Sequence, residues 1–414
     1  MLRTRRLRLD IDRRTWNPPV TPPFPANFTP TGRDISIDLQ EMLLKLGVIT
    51  TPQTALGMSL AEHWAWFRYF FAFTNNPADE SFTLTPEYAQ LDAHQKTILS
   101  DDLGMAVPVY WLSAALGIPG IPLDGSYFVK RMAHLIGRPP VRTNKRGPLK
   151  TPDFVMRDTS GRWHVLECKG TQSSRAARNK QLSHLTSGGQ PNGAVVQKTM
   201  IGLRPNIRGQ RLGSGLFIGI QGGRESSHLK LVDPEYKPII NVREEEEPYL
   251  EDAAIRGTIS KALIFANLPS AGSAFASPEG FLEYFDYSSS LQFKAPPDRG
   301  RFSERAVAAR IEIEEARQRE KRVVDGETYF VRDQFIPLPR PLILNEQVKE
   351  MAIVSTLVSS QALDAIESTE FKDDALTEKS FGWATSIQDR GIATKGSRTT
   401  LKIGKGFRVE LSML

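Results

Sequence analysis

With 414 residues the chain has room for about two or three hydrophobic cores, and 53 Lys or Arg against 47 Asp or Glu leave a formal charge of +6. Its one cysteine, Cys168, excludes an internal disulfide and a zinc site built from several cysteines, and it fits a reducing, cytoplasmic compartment. The six His form no His-Glu-x-x-His pair, no Gly-x-x-x-x-Gly-Lys-Ser/Thr loop is present to hydrolyse ATP, and no apolar run reaches the roughly 18 residues that span a membrane.

Residues 1–35 read as an arm rich in Arg and Pro. Leu7-Arg8-Leu9-Asp10-Ile11 alternates like a strand, and Pro18 to Pro30 reads as extended chain. Asp10, Asp12 and the prolines argue against a transit peptide. Residues 36–99 read as a mainly helical cap. Its aromatic run, Trp64, Trp66, Phe67, Tyr69, Phe70, Phe71 and Phe73, would fall on all sides of a helix, which favours a core over a base-stacking face. Ser100 is the expected N-cap of the next helix, with Asp101 and Asp102 in its first turn, and Pro108 is expected to kink or restart it.

The segment Pro152 to Gly170 reads as a β-hairpin: Asp153-Phe154-Val155-Met156 and Trp163-His164-Val165-Leu166 flank the turn residues Asp158-Thr159-Ser160-Gly161. A loop over Thr159 to Gly161 sets Asp158 against Arg162, and the same register carries Asp153 to Glu167. Directly opposed residues have β-carbons roughly 4.5 to 5.5 Å apart, close enough for two carboxylates to share one hard cation. With a period of two, Lys169 shares the face of Glu167, while Cys168 points the other way as a small apolar side chain. His164 faces away from Trp163 and Val165 and is expected to be hydrogen-bonded rather than a ligand.

Pro152-Asp153 and Glu167-Cys168-Lys169 resemble the motif of the PD-(D/E)XK nuclease superfamily, over a core of about residues 100–235. The resemblance implies an α/β, restriction-endonuclease-like mixed sheet flanked by helices. It also implies phosphodiester hydrolysis with Mg²⁺, for which Mn²⁺ would substitute. Asp153 and Glu167 would be the metal ligands and Lys169 would lie at the attacking water. A further acid from a preceding helix would be Asp102 or Asp101, with Glu87 and Glu62 as substitutes. Such a core between unrelated flanks is similar to DNA endonucleases of restriction, anti-phage defence or mobile-element systems. The alternatives are a recombination or repair nuclease, a nuclease-like nucleic-acid-binding subunit without activity of its own, and a scaffold for an acidic protein.

Charge supports a nucleic-acid partner independently. Between Lys130 and Arg211 stand 17 Lys or Arg and 3 acids, an excess of 14 in a chain whose total is +6. Arg142, Lys145, Arg146 and Lys150 precede the hairpin. Arg175, Arg178 and Lys180 follow it on an expected helix over Ser173 to Leu182, where Arg175 and Arg178 share a face and Lys180 or Gln181 could lie near the metal site. Double-stranded DNA is the expected partner, along with a homodimer or partner subunits, an ATPase among them if activity is ATP-dependent; no membrane is expected. Gly193-Ala194-Val195-Val196 and Gly215 to Ile220 read as further strands.

Residues 236–414 read as an accessory α+β region for substrate selection or partner docking. Glu244 to Glu247 is expected to be a solvated loop. Ser303 to Arg322 reads as an amphipathic helix around Ala306, Ala309, Ile313 and Ala316, and Thr399 to Leu411 as a hairpin turning at Gly404 to Gly406.

Overall fold

Alternation in the first strand, β1 (Thr4–Ile11), buries Arg5, Leu7, Leu9 and Ile11 and exposes Thr4, Arg6 and Arg8. The structure, a computed structural model, describes residues 4–18, 22–28, 32–51, 65–73, 79–138, 151–182, 194, 201–233, 238, 240–278, 299–344, 346–377, 381 and 391–414. β1 pairs antiparallel with β2 (Arg33–Asp38), whose last residue caps helix α1 (Leu39–Ile49) through Asp38 Oδ1, 3.0 Å from the Gln40 amide and 3.1 Å from that of Glu41. Helix α2 (Ala93–Ala115) follows, then β3 (Leu123–Asp124), α3 (Gly125–Leu135), β4 (Phe154–Arg157), β5 (Trp163–Thr171) and α4 (Arg175–Gln181). A short β6 (Ile201–Gly202) precedes β7 (Arg208–Phe217) and β8 (His228–Val232), and β6 pairs with β9 (Ile240–Asn241).

Seven of these strands form one mixed sheet in the order β2-β1-β8-β7-β5-β4-β3. β1 runs parallel to β8 and β5 parallel to β7; the other neighbours are antiparallel. The divisions expected at residues 35/36 and 99/100 therefore fall inside β2 and α2. The expected arm supplies two strands to the sheet that holds the hairpin. β7 is buried almost throughout, although it carries Arg208, Gln210 and Arg211, and it both begins and ends earlier than the strand expected over Gly215 to Ile220. Ala194 is helical, not extended, and residues 193 and 195–196 lie outside the described residues. Tyr69, Phe70, Phe71 and Phe73 are buried core rings, but Ala65–Ala72 is a 3-10 helix; Trp64 lies outside the described residues, and Trp66 and Phe67 are described by backbone alone.

α2 corrects two expectations. It starts at Ala93, where Asp92 Oδ1 accepts from the His94 and Gln95 amides at 2.8 and 3.1 Å, so Ser100 is an interior residue and not the cap. Its polar opening turns carry no apolar period to mark them. It also runs through Pro108 without restarting there, with Leu103, Ala106, Val107, Val109 and Leu112 all fully buried around the proline.

The second half adds α5 (Glu247–Phe265), α6 (Pro269–Ala276) and α7 (Arg299–Arg317), then β10 (Glu320–Val324), β11 (Glu327–Leu344), β12 (Gln347–Ser359) and α8 (Ser360–Glu367), and finally β13 (Gly391–Lys395), β14 (Arg398–Ile403) and β15 (Phe407–Met413). Its six strands form a curled antiparallel sheet, β10-β11-β12-β15-β14-β13. The expected C-terminal hairpin is β14–β15, closing at Ile403 opposite Phe407. α7 buries Ala306, Ala309, Ile313 and Ala316, as its pattern predicts. In the run Glu244 to Glu247, Glu244 and Glu245 are solvated as expected, but Glu246 is buried, accepts from Arg243 and Arg138, and leads into α5. One buried apolar cluster runs from Leu166 and Cys168 of the first sheet to Phe407 and Met413 of the second. Among the described residues no helix is long and apolar enough to cross a membrane.

Candidate functional site

The hairpin forms in the register its residues dictate. Phe154 lies opposite Leu166, Val155 opposite Val165 and Arg157 opposite Trp163, and the Asp158 amide donates to the Arg162 carbonyl at 2.9 Å. Asp158 Oδ1 accepts from the Ser160 and Arg162 amides at 2.8 and 2.9 Å and closes the turn. His164 has the structural role expected of it. Its Nδ1 accepts from the Gln210 amide at 2.9 Å, which leaves Nε2–H to face Asp158 Oδ2 at 3.0 Å. Burial raises the Asp158 carboxyl, but the bonds from His164, Ser160 and the Arg162 amide outweigh it and pull it down to about 2.

The ladder between β4 and β5 ends at Phe154 and Leu166. One residue further, the same register brings Asp153 to Glu167, and the Asp153 carboxylate takes the place of the missing strand: its Oδ2 accepts the Cys168 amide at 2.7 Å. Glu167 is fully buried. Lys169 Nζ, a quarter exposed, donates to Glu167 Oε1, while Glu167 Oε2 has no hydrogen-bond partner. Burial and the neighbouring Asp153 push the Glu167 carboxyl up to about 8, against the pull of Lys169. Asp153 is raised by burial, opposed by the Cys168 amide and Lys169 and reinforced by Asp101 and Asp124. Burial lowers the Lys169 ammonium, but the Glu167 carboxylate more than offsets it. Cys168 faces the apolar core on the other side, as a small apolar side chain would, and burial raises its thiol well above the usual range.

Of the two acids expected from the helix, Asp101 joins this group. It stands exposed on α2 within electrostatic reach of both Lys169 and Asp153. Asp102, placed first on sequence grounds, instead accepts the Tyr69 hydroxyl. Adjacent positions on a helix differ by about 100° in direction, so only one of them faces the hairpin. Two glycines let α2 come this close. A β-carbon at Gly170 would lie 1.7 Å from the Ser100 carbonyl oxygen, and one at Gly104 would lie 2.7 Å from the Gly170 α-carbon.

A further acid escaped the sequence reading. Asp124 ends β3 opposite Phe154, next to Asp153 in the ladder, and the following Gly125 amide donates to the Asp153 carbonyl at 2.9 Å. The Asp-Gly pair at the start of a helix was its sequence signal, but nothing local ties it to the hairpin.

The basic residues divide. Arg142, Lys145, Arg146 and Lys150 lie outside the described residues. Arg178 is buried: its stem crosses Gly215, the β7 partner of Lys169, and its guanidinium donates to His228 Nδ1 at 2.5 Å and to Asn179 Oδ1 at 2.8 Å. It is a packing residue and does not track a nucleic-acid backbone as expected; burial lowers it to about 10. Arg175 reaches the Ser226 carbonyl at 3.3 Å, while Lys180 and Gln181 are exposed.

Among the described residues no three His, Cys, Asp or Glu already stand as a ligand set. The donor chemistry nevertheless fits a hard cation. Glu167 Oε2 is a buried, unsatisfied oxygen beside a second raised carboxyl, an arrangement that a divalent ion relieves. Compared with protein-family models, curated proteins and solved structures, the chain matches none of them.

Proposed function

We propose that the chain is a metal-dependent nuclease of the PD-(D/E)XK type, with a restriction-endonuclease-like core built on the hairpin half of the mixed sheet, and that it hydrolyses phosphodiester bonds, DNA foremost. The observation that carries the reading is the convergence of Asp153, Glu167 and Lys169 where the β4–β5 ladder ends, with Glu167 Oε2 buried and unsatisfied. Asp153 and Glu167 would hold Mg²⁺ or Mn²⁺, with Asp101, rather than Asp102, as the acid supplied by α2. A divalent cation bound there supplies a water of lowered pKa and charge compensation for phosphate oxygens. Lys169 Nζ, partly exposed, donates to the attacking water or to a phosphate oxygen. The Asp153 carboxylate, fixed by the Cys168 amide, keeps its orientation without any help from substrate.

The basic window from Lys130 to Arg211 supports a polyanionic partner, and an endonuclease of a restriction, anti-phage defence or mobile-element system is the proposed setting, in the cytoplasm. One observation favours a second reading, a nucleic-acid-binding subunit without activity: Lys169 occupies one Glu167 oxygen, and no three-ligand group stands ready among the described residues.

The test is cleavage of circular and linear duplex DNA, single-stranded DNA and RNA in Mg²⁺, Mn²⁺ or EDTA, by wild type and Lys169→Ala. Metal-dependent cutting lost on substitution supports the nuclease. Salt-sensitive DNA binding with no cutting of any substrate selects the binding subunit.

A further inference from the structure

Lys261 of α5 is fully buried, and its ammonium reaches Asp124, one ladder position from Asp153. Nζ donates to Asp124 Oδ1 and to the Ile49 carbonyl, each at 2.9 Å. Asp124 is the partly exposed end of that pair, and its backbone is fastened to Asp153 through the Gly125 amide. The fastening is close: a β-carbon at Gly125 would lie 1.9 Å from the Pro152 carbonyl oxygen. A buried lysine holding a partly exposed carboxylate beside the half-buried Asp153 is a costly arrangement if it serves only to tie a helix to a sheet.

We propose that Asp124 is a further acidic group of the candidate cation site, aimed by Lys261, and that it accepts hydrogen bonds from water on the cation held by Asp153 and Glu167. The inference rests on the nuclease-type site proposed above and adds to it a positioning residue from the accessory half of the chain. Charge agrees with it. Asp101 and Asp124 both act electrostatically on Asp153, and with Glu167, Lys169 and Lys261 the formal charges of the group leave an excess of two negatives that one divalent ion neutralises. The independent pointer to a ligand is the buried, unpartnered Glu167 Oε2. Outer partners of this kind fix the ligands and waters of a metal, and their loss typically weakens binding about 10- to 100-fold.

The experiment is Mn²⁺ binding to the full chain by titration calorimetry, without substrate, for wild type, Asp153→Asn, Asp124→Asn, Lys261→Met and the double variant Asp124→Asn/Lys261→Met, with thermal melting of each. Asp124→Asn keeps an oxygen for Lys261, and the double variant removes the pair without stranding a buried charge, so the test does not hang on the folding of one variant. Mn²⁺ affinity about 10- to 100-fold weaker in Asp124→Asn and in the double variant, with the double variant melting near wild type, supports the inference. Loss of Mn²⁺ binding in Asp153→Asn with wild-type affinity in both Asp124 variants overturns it and leaves the site intact. No Mn²⁺ binding by wild type, or binding indifferent to Asp153→Asn, overturns the site itself and this inference with it.

Discussion

Gly170 of β5 lies directly beneath the Ser100 carbonyl of α2, so close that a β-carbon there would come within 1.7 Å of the oxygen. Backbone thus meets backbone with no side chain able to yield. Gly170→Ala must push α2 away from β5 and carry Asp101 away from Lys169. A destabilisation of about 3 kcal/mol, at the upper end for overpacking, is expected in urea unfolding, together with weaker divalent-ion binding.

Asp101 and Asp102 have different surroundings, and their variants are expected to differ accordingly. Asp101→Asn is expected to lower metal-dependent DNA cleavage about 10-fold or more while leaving the melting temperature near wild type. Asp102→Asn weakens the bond from Tyr69 and is expected to destabilise the fold by about 1 to 2 kcal/mol with cleavage largely retained. Side-by-side cleavage rates and melts of the two variants check this; the reverse pattern would return the third acid to Asp102.

His228 gives the fold an acid-sensitive joint. Burial, then Arg178 and Arg175, lower its imidazole to about 4, against 6.5 for a free side chain. Between those values the unfolded chain binds a proton that the folded one does not, so this contribution is complete above about pH 6.5 and is lost as pH falls toward about 4. At full strength that shift corresponds to about 3 kcal/mol; screening at this half-buried ring reduces the part of the stability that moves with pH in this window to about 2 kcal/mol, and His228→Asn should flatten it.

Asp252 joins two fully buried guanidinium groups. Its Oδ2 faces Arg131 Nε at 2.6 Å, and its Oδ1 faces Arg256 Nε at 3.0 Å and the Leu376 amide at 2.9 Å. Arg256 also donates to the Lys372 and Asp374 carbonyls at 2.9 and 2.8 Å. Asp252→Ala leaves both cations buried without their shared partner and is expected to destabilise by about 3 to 5 kcal/mol. Hydrogen exchange should show residues 371–377 losing protection before the sheets do.

The hairpin was legible because two independent rules, turn chemistry at Asp158 to Gly161 and a period of two on each flank, select the same register, so the meeting of Asp153 with Glu167 followed from counting. His164 and the β14–β15 hairpin were legible for similar reasons. The start of α2 was not, because His94, Gln95, Lys96 and Thr97 show no apolar face, and an error of two turns leaves the choice between Asp101 and Asp102 open. Arg178 was misread because an arginine stem can pack over a glycine such as Gly215 as readily as it can point to solvent. Asp124, Lys261 and the place of β1 in the sheet depend on contacts between distant parts of the chain, which local patterns do not encode.

The parallel pairing of β1 with β8 sets an order of events. The β1–β2 hairpin can close as soon as residues 4–38 exist, but the far side of β1, at Arg8 to Ile11, has no neighbour until residues 228–231 are made. Until then a row of unpaired amides and carbonyls is presented by a strand with an apolar face, the form of edge that recruits other chains. A fragment cut to residues 100–235 would leave the mirror-image defect on β8. A cut between the hairpin and the N-terminus is therefore expected to give a fragment that aggregates, and chaperone dependence should be greatest while the nascent chain is shorter than its eighth strand.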